Sequence, residues 1–188
     1  MIPATRRRER GQALPEFALV VPIFLLVLFG IIQLGFLFAG QNGMSNAARE
    51  AARYASTLPT PDQTVAGSGS CSTVGNAKAV YDRLTQVNLP QYVPGFLLGN
   101  LTNAGGPACG LAAIAGTGTG VAYCSVTNAD TTHTVRVRVV VVYRHPLFIP
   151  LVGQIFSSTN TWQLQAIEEM RVEGPDRATD GGFTTPCP

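Results

Sequence analysis

Glu16 is the residue whose chemistry most needs explaining, because it places a carboxylate at the start of a long apolar segment. From Phe17 to Ala39 no residue is charged, and Gln33 is the only strongly polar side chain. A carboxylate beside so much apolar surface costs free energy unless a partner neutralises it. Glu16 is therefore a candidate site for pairing with a cation. The alternative is a side chain that only reaches water at a membrane surface.

The four cysteines are the second chemical feature, and all of them follow the apolar segment: Cys71, Cys109, Cys124 and Cys187. An even number in an oxidising compartment predicts two disulfides, with three connectivities open. We favour Cys109–Cys124 with Cys71–Cys187, because the first pair brackets one Gly-rich loop beside a strand. A zinc site is the alternative, but no CxxC pair or nearby histidine supports it. We expect no metal and no cofactor.

No residues form a catalytic set. The two histidines are explained by position, since His133 falls on a predicted strand and His145 precedes Pro146. Glu168 and Glu169 are adjacent on a predicted strand, so their carboxylates point to opposite faces and cannot act as a pair. The sequence has no Gly-rich phosphate loop, GxSxG or HExxH motif. The prediction is that the chain is not an enzyme.

The apolar segment is long enough to cross a membrane. As a helix, Phe17–Ala39 is ~34 Å long, against a hydrocarbon core of ~30 Å. A cluster of arginines precedes it, so the positive-inside rule places the N terminus in the cytoplasm and everything after about Gln41 outside the inner membrane. A removable secretory signal is the competing interpretation, but its apolar core is usually shorter, ~7–15 residues.

The charge distribution argues against a nucleic-acid partner. The first ten residues hold four arginines and one glutamate, so the remainder of this +2 chain has a slight negative net charge. A nucleic-acid-binding domain normally has a basic patch, and this one has none in its body. We divide the chain into a basic leader (1–11), a transmembrane plus amphipathic helix (12–58) and an extracytoplasmic α+β domain (59–188).

Small residues and prolines mark the long helix. Pro22 lies in its interior and predicts a kink. Gly35, Ala39 and Gly43 are spaced by four, and such a stripe lets helices pack closely in a membrane, although small residues are also common there for other reasons. Gly40 and Gly43 together predict a weak point or hinge between the two halves of the helix.

The residues after this junction predict an amphipathic helix over 44–58. Its apolar face contains Met44, Ala47, Ala48, Ala51, Ala55 and Leu58. A second, short helix is predicted over 76–88, with an apolar face made of Ala77, Val80, Tyr81, Leu84 and Val87. Residues 89–119 are rich in Gly, Pro, Asn and Thr and predict a loop.

The C-terminal third predicts an antiparallel sheet. Strands over 120–127 and 132–144 are separated by 128–131, a hairpin signal, and a third strand spans 159–173. Alternation predicts a half-buried second strand whose inward face holds His133, Val135, Val137, Val139, Val141 and Tyr143. In the third strand the inward set is Trp162, Leu164, Ala166, Met170 and Val172, and Glu168 interrupts it. The fold class is therefore α+β: a long N-terminal transmembrane and amphipathic helix, then a small antiparallel β-sheet domain.

Three stretches of the sequence resemble the TadE-like family, the minor pilins (pseudopilins) of the tight-adherence (Tad/Flp) pilus. The first is RGQALPEF (10–17) before the apolar helix, and the second is SNAAREAARYA (45–55) after it. The third and looser one combines the Val-rich strand, the PLFIPL connection (146–151) and the ending MRVE (170–173). The middle of the chain, about 59–119, has no such resemblance.

The resemblance implies specific roles for residues near the N terminus. A prepilin peptidase would cut after Gly11, which makes Gln12 the first residue and Glu16 the fifth. The Glu16 carboxylate, followed by Phe17, would then pair with the free amine of a neighbouring subunit during assembly. Implied partners are the peptidase, the major pilin, other minor pilins, the inner-membrane assembly platform and membrane lipid, and the destination is the pilus or cell surface. The alternative is a single-pass anchored envelope protein that binds partners without entering a filament.

Overall fold

The computed structural model describes residues 13–58, 76–102, 118–148, 160–174 and 187. It confirms the α+β class: one long apolar helix is followed by short helical segments and a three-stranded antiparallel sheet. The elements are α1 (Ala13–Ser56), α2 (Asn76–Arg83), a π-helical turn (Leu84–Asn88), α3 (Leu89–Tyr92), a 3-10 turn (Leu98–Asn100), β1 (Gly120–Thr127), β2 (His133–Pro146) and β3 (Thr161–Arg171). The division into a leader and a domain stays a prediction.

The sheet has the order β1-β2-β3, and its strands lie within two residues of their predicted bounds. The predicted hairpin is held by Asp130, whose carboxylate accepts hydrogen bonds from the hydroxyl (2.6 Å) and the backbone N–H (3.0 Å) of Thr132. These hydrogen bonds hold the pKa of Asp130 below its usual value. Thr131 takes a positive φ of 66°, which lets so short a connection reverse the chain.

The C-terminal half of α1 covers one face of the sheet. Its fully buried residues are almost all alanines, whose small side chains let the helix backbone approach the strands closely: Met44, Ala47, Ala48, Ala51, Ala52 and Ala55. The facing side of β2 supplies Val137, Val139, Val141 and Tyr143, all fully buried. The alternating pattern therefore predicts this face correctly along the middle of β2, but Trp162 of β3, also predicted to point inward, is exposed because it lies at the end of the sheet.

The opposite face of the sheet corrects one expectation. A half-buried β2 was predicted, but Val140 and Val142 on the far face are as buried as their neighbours. On β1, Ala122 and Cys124, which pair with Arg138 and Arg136 on the same face of the sheet, are fully buried too. A run of four valines, 139–142, therefore marks a strand covered on both faces rather than an alternating one.

The second helical segment corrects the apolar face that was predicted for residues 76–88. The predicted face is right at Val80, Tyr81 and Leu84, which are buried, but Val87 is exposed. The π turn at Leu84–Asn88 adds one residue to a helical turn, so the buried positions move on to Asn88 and Leu89. The expected loop after it begins with α3 and the 3-10 turn.

The favoured disulfide pairing was wrong. Cys124 is bonded to Cys187, with the two Cα atoms 5.0 Å apart, so neither Cys109–Cys124 nor Cys71–Cys187 forms. The backbone N–H of Cys187 also donates to the carbonyl of Ser125, which ties the C-terminal tail to β1. Sequence proximity misled the prediction, because the bond joins residues 63 positions apart. Cys71 and Cys109 lie outside the described residues.

We predict that mass spectrometry of non-reduced peptides detects a Cys124–Cys187 crosslink, and by elimination a Cys71–Cys109 crosslink. Closing a 63-residue loop stabilises the fold by ~4 kcal/mol in the chain-entropy model, so Cys124→Ser lowers the free energy of unfolding by a comparable amount. A reduced sample is the control. Four free thiols in protein taken from cells would contradict the placement outside the cytoplasm.

The glycine junction is not a break. Helix α1 continues through Gly40 and Gly43, and both are buried against the domain. A Cβ at Gly43 would lie 2.2 Å from the backbone oxygen of Tyr92, so this glycine lets the chain after α3 touch the helix. Gly35 and Ala39 of the same stripe are exposed. Of these three residues only Gly43 packs against another part of the described chain, and packing of other helices against Gly35 and Ala39 stays a prediction.

Gly43→Ala should destabilise the domain, while Gly35→Ala should not. The added methyl at position 43 must displace backbone, a cost of about 1–3 kcal/mol. At position 35 a Cβ meets nothing within 4 Å, and alanine is the better helix former. Thermal unfolding of both variants in detergent, followed by the near-UV circular dichroism of the domain, compares them. Equal melting temperatures would contradict the close packing.

Candidate functional site: the exposed half of the long helix

Helix α1 has two halves with different surroundings. None of the side chains from Leu14 to Ile32 is buried, although nearly all are apolar. This part is ~28 Å long, close to the hydrocarbon thickness of a bilayer. From Gln33 onward one face of the helix is covered by the domain. This is the one helix among the described residues that is long and apolar enough to span a membrane, which is consistent with a single-pass anchor.

The two candidate assembly residues lie at the start of this exposed half. Glu16 is in the first turn of α1, and both it and Phe17 are exposed. The backbone N–H groups of a first turn favour a negative charge, which offsets part of its cost. The next charged residue along the described chain is Arg49, on the same helix and ~50 Å away by helical rise. Gly11 and Gln12 lie outside the described residues.

The exposed half ends where Gln33 meets the domain. The side-chain oxygen of Gln33 accepts a hydrogen bond from the backbone N–H of Phe148 (2.9 Å), just after β2. The rings of Phe36 and Phe148 lie 5.5 Å apart and complete this contact. The sequence marks Gln33 as the one polar side chain of the apolar run, but its partner, 115 residues away, could not have been inferred.

From Gln33 toward the C terminus of α1, β3 runs alongside the helix and fixes the domain to it. The Gln41 amide donates to the carbonyl of Gln165 (2.8 Å), and the Arg49 guanidinium pairs with Glu168 (2.9 Å). This ion pair explains why a carboxylate interrupts the inward set of β3. It is partly exposed, so it contributes no more than about 1 kcal/mol and acts mainly to set the register of helix on sheet.

His145 is buried at the same junction. A Cβ at Gly40 would lie 3.5 Å from its Nδ1, and its ring stands edge-on to Phe148 at 6.3 Å. Neither ring nitrogen has a hydrogen-bond partner among the described residues. Burial lowers the pKa of His145, so the ring is neutral at pH 7.

The free energy of unfolding should fall as the pH drops below 6.5. The unfolded chain binds a proton at His145 near that pH, whereas the folded protein binds it only at lower pH, so acid favours the unfolded state. Denaturant titrations at a series of pH values measure this. His145→Gln should remove the fall in this window and His133→Gln should keep it; the reverse result would place the titration elsewhere.

No group of three or more His, Cys, Asp or Glu in the described ranges could hold a metal ion. The prediction that the chain is not an enzyme remains a prediction. The site consists instead of an exposed apolar surface that begins with a carboxylate and ends at a packed junction. Such a surface can enter lipid or pack against other helices.

A family model described as TadE-like protein matches residues 11–53. The match is less than half of the chain, but it confirms the resemblance over the stretch that contains Gly11, Glu16 and all of the exposed helix. No curated protein and no solved structure matches the chain significantly. The family points to the setting of the Tad pilus, and the β-sheet domain lies beyond the match.

Proposed function

We propose that this chain is a minor pilin or pseudopilin that takes part in assembling a tight-adherence pilus. The observation that carries the proposal is the TadE-like match over residues 11–53, which coincides with a helix whose apolar half projects from the domain. A projecting apolar helix can move from lipid into a bundle with other subunits, because both surroundings are of low polarity.

Processing by prepilin peptidase after Gly11 supplies the chemistry that Glu16 requires. The cut removes the basic leader and creates a free amine at Gln12. Because α1 carries no cation before Arg49, ~50 Å away by helical rise, and the domain covers the helix only from Gln33 onward, the partner of Glu16 must come from the leader, from lipid or from another subunit. The new amine of a neighbouring subunit is a cation at the matching depth, and two charges pair strongly where water is excluded.

The exposed small residues support contact with other subunits. Gly35 and Ala39 lie on the same side of α1, and nothing in the described chain lies within 4 Å of a Cβ at Gly35. The major pilin and other minor pilins are the helices proposed to pack there, and the inner-membrane platform is proposed to extract the chain from lipid. Gly43 takes no part, since the backbone of Tyr92 occupies its surface.

The proposed topology has the N terminus in the cytoplasm and the domain outside the inner membrane. The leader arginines support this orientation. The Cys124–Cys187 disulfide supports it as well, because structural disulfides persist in oxidising compartments.

A deletion strain tests the proposal. Loss of the chain should reduce surface pili and adhesion, and expression of the wild-type chain should restore both. An epitope after Ala129, in the exposed hairpin turn, then locates the protein in sheared pili or in membranes. Normal piliation in the deletion strain, together with protein found only in membranes, would contradict the proposal.

The alternative is a single-pass anchored envelope protein that never enters a filament. One observation favours it: the exposed half of α1 is as long as a bilayer is thick, which suits permanent residence in lipid. The same deletion experiment separates the two functions, because an anchor would remain in the membrane fraction and pili would form without it.

A further inference from the structure

We infer that the end of the domain nearest the exposed helix rests in the membrane interface, with a ring of apolar side chains inserted among the lipid headgroups. We call this ring the apolar belt. It comprises Phe36, Phe38, Leu97, Leu98, Phe148 and Trp162, all of them exposed. The inference concerns where the domain sits and does not depend on pilus assembly.

The β3 side of the domain establishes the level of the belt along α1. Three contacts between β3 and α1 follow one another from the C-terminal end of the helix toward its N terminus, the direction called down below. The backbone N–H of Glu173 donates to the carbonyl of Ser56, and Glu168 pairs with Arg49. The side chain of Leu164 then lies against Gly40. Trp162 is two residues further along β3, so it lies below Gly40, beside the part of the helix that leaves the domain. Phe148 reaches the same level through its hydrogen bond to Gln33.

The segments that pack on the opposite side of α1 extend down to the same level. There Arg83 lies over the ring of Tyr54, the side chain of Asn88 donates to Ala47, and the backbone of Tyr92 touches Gly43. The chain therefore descends along α1 as it runs from α2 to α3. Five residues later the backbone N–H of Leu97 donates to the Tyr143 hydroxyl, which places Leu97 and Leu98 at the lower end as well.

Among the described residues, charged side chains are almost absent from this end. Residues 84–102, 145–148 and 160–167 contain no Asp, Glu, Lys or Arg, and α1 has none between Glu16 and Arg49. The nearest charge in the part of the chain that the structure describes is Arg144, an exposed cation on the far face of β2. Charges gather at the other end of the sheet, at the hairpin and at Arg136 and Arg171.

A lipid surface is the occupant that explains this arrangement. The belt is continuous with the exposed apolar half of α1, and it occurs on two sides of that helix at one level, as a plane requires. Aromatic side chains favour the boundary between headgroups and hydrocarbon. Arg144 suits headgroup phosphates, toward which a long cationic side chain can extend. A second copy of the chain would need a belt on one side only.

Trp162 makes the inference directly measurable, because it is the single tryptophan of the chain. The full-length protein is placed in nanodiscs at one copy per disc, with nitroxide-labelled phospholipids. We expect Trp162 emission to be quenched most by a nitroxide high on the acyl chain, less by one near the chain end, and little by aqueous iodide. Full quenching by iodide with none from lipid would overturn the inference.

A pair of variants tests whether the belt acts as a unit. Phe148→Asp puts a carboxylate into the belt and should shift Trp162 from lipid quenching toward iodide quenching. Val87→Asp changes another exposed apolar residue, at the level of Ala47 and away from the belt, and should leave Trp162 unchanged. Equal lipid quenching in both variants would overturn the inference. Shielding that requires two copies per disc would assign the surface to self-association instead and overturn it as well.

Discussion

Glu16→Ala should leave insertion of the protein intact and abolish most surface piliation. Insertion depends on the apolar run from Phe17 to Ala39, which the change does not shorten, and loss of a charge makes the helix more soluble in lipid. Assembly should lose the carboxylate that we propose pairs with a neighbouring amine. Removing one partner of such a pair in a low-dielectric bundle costs about 3–5 kcal/mol, enough to reduce assembly more than a hundredfold. Counting pili by electron microscopy beside membrane immunoblots measures both quantities.

Two further variants separate charge from shape in this prediction. Glu16→Gln keeps the size and hydrogen-bonding capacity of the side chain, and it should fail almost as badly because the amine still lacks its counterion. Glu50→Ala removes the other carboxylate of α1, beyond the apolar run, and should leave pili near wild-type number. Wild-type piliation in both Glu16 variants would mean that the Glu16 side chain only reaches water at the membrane surface. The single-pass anchored envelope protein would then be the better interpretation.

Gly11→Val should block removal of the leader and, with it, assembly. A peptidase that cuts between a charged leader and an apolar helix needs a small, flexible residue at the cut, and a branched side chain restricts the backbone there. The uncut chain has no free amine at Gln12. On an immunoblot it should run about one kilodalton above the wild-type protein.

The matched control for this experiment is Gly30→Val, which makes the same change inside the exposed helix, where a Cβ meets nothing within 4 Å. It should be processed normally. The unmutated chain, expressed in a strain that lacks the prepilin peptidase, should give the same larger band as Gly11→Val. Identical bands in all strains would contradict cleavage after Gly11.

The sequence was most informative where one periodicity extends over many residues. The alanine face of α1, the hairpin and the strand bounds followed from alternation and turn residues, and Glu16 followed from a single charge next to an uncharged run. Each of these signals is local, so it survives without knowledge of the rest of the chain.

The predictions failed where distant segments decide the outcome. The π turn inserts one residue into a helix and moves Val87 out of the core, which no periodicity reveals. The Cys124–Cys187 bond depends on the tail returning to β1. Gly43 was expected to serve neighbouring helices, but the backbone of Tyr92 in the same chain takes its place. Packing of this kind is set by the tertiary fold rather than by local preference.

The central claim is that the chain is a processed pilus subunit, and the most direct test is the N-terminal sequence of the mature protein extracted from membranes. We expect a sequence that starts at Gln12, QALPEFALVV. A start at Met1 would contradict it and support a permanent anchor. A start near Gln41 or later would also contradict it, since the apolar helix would then be a removed secretory signal.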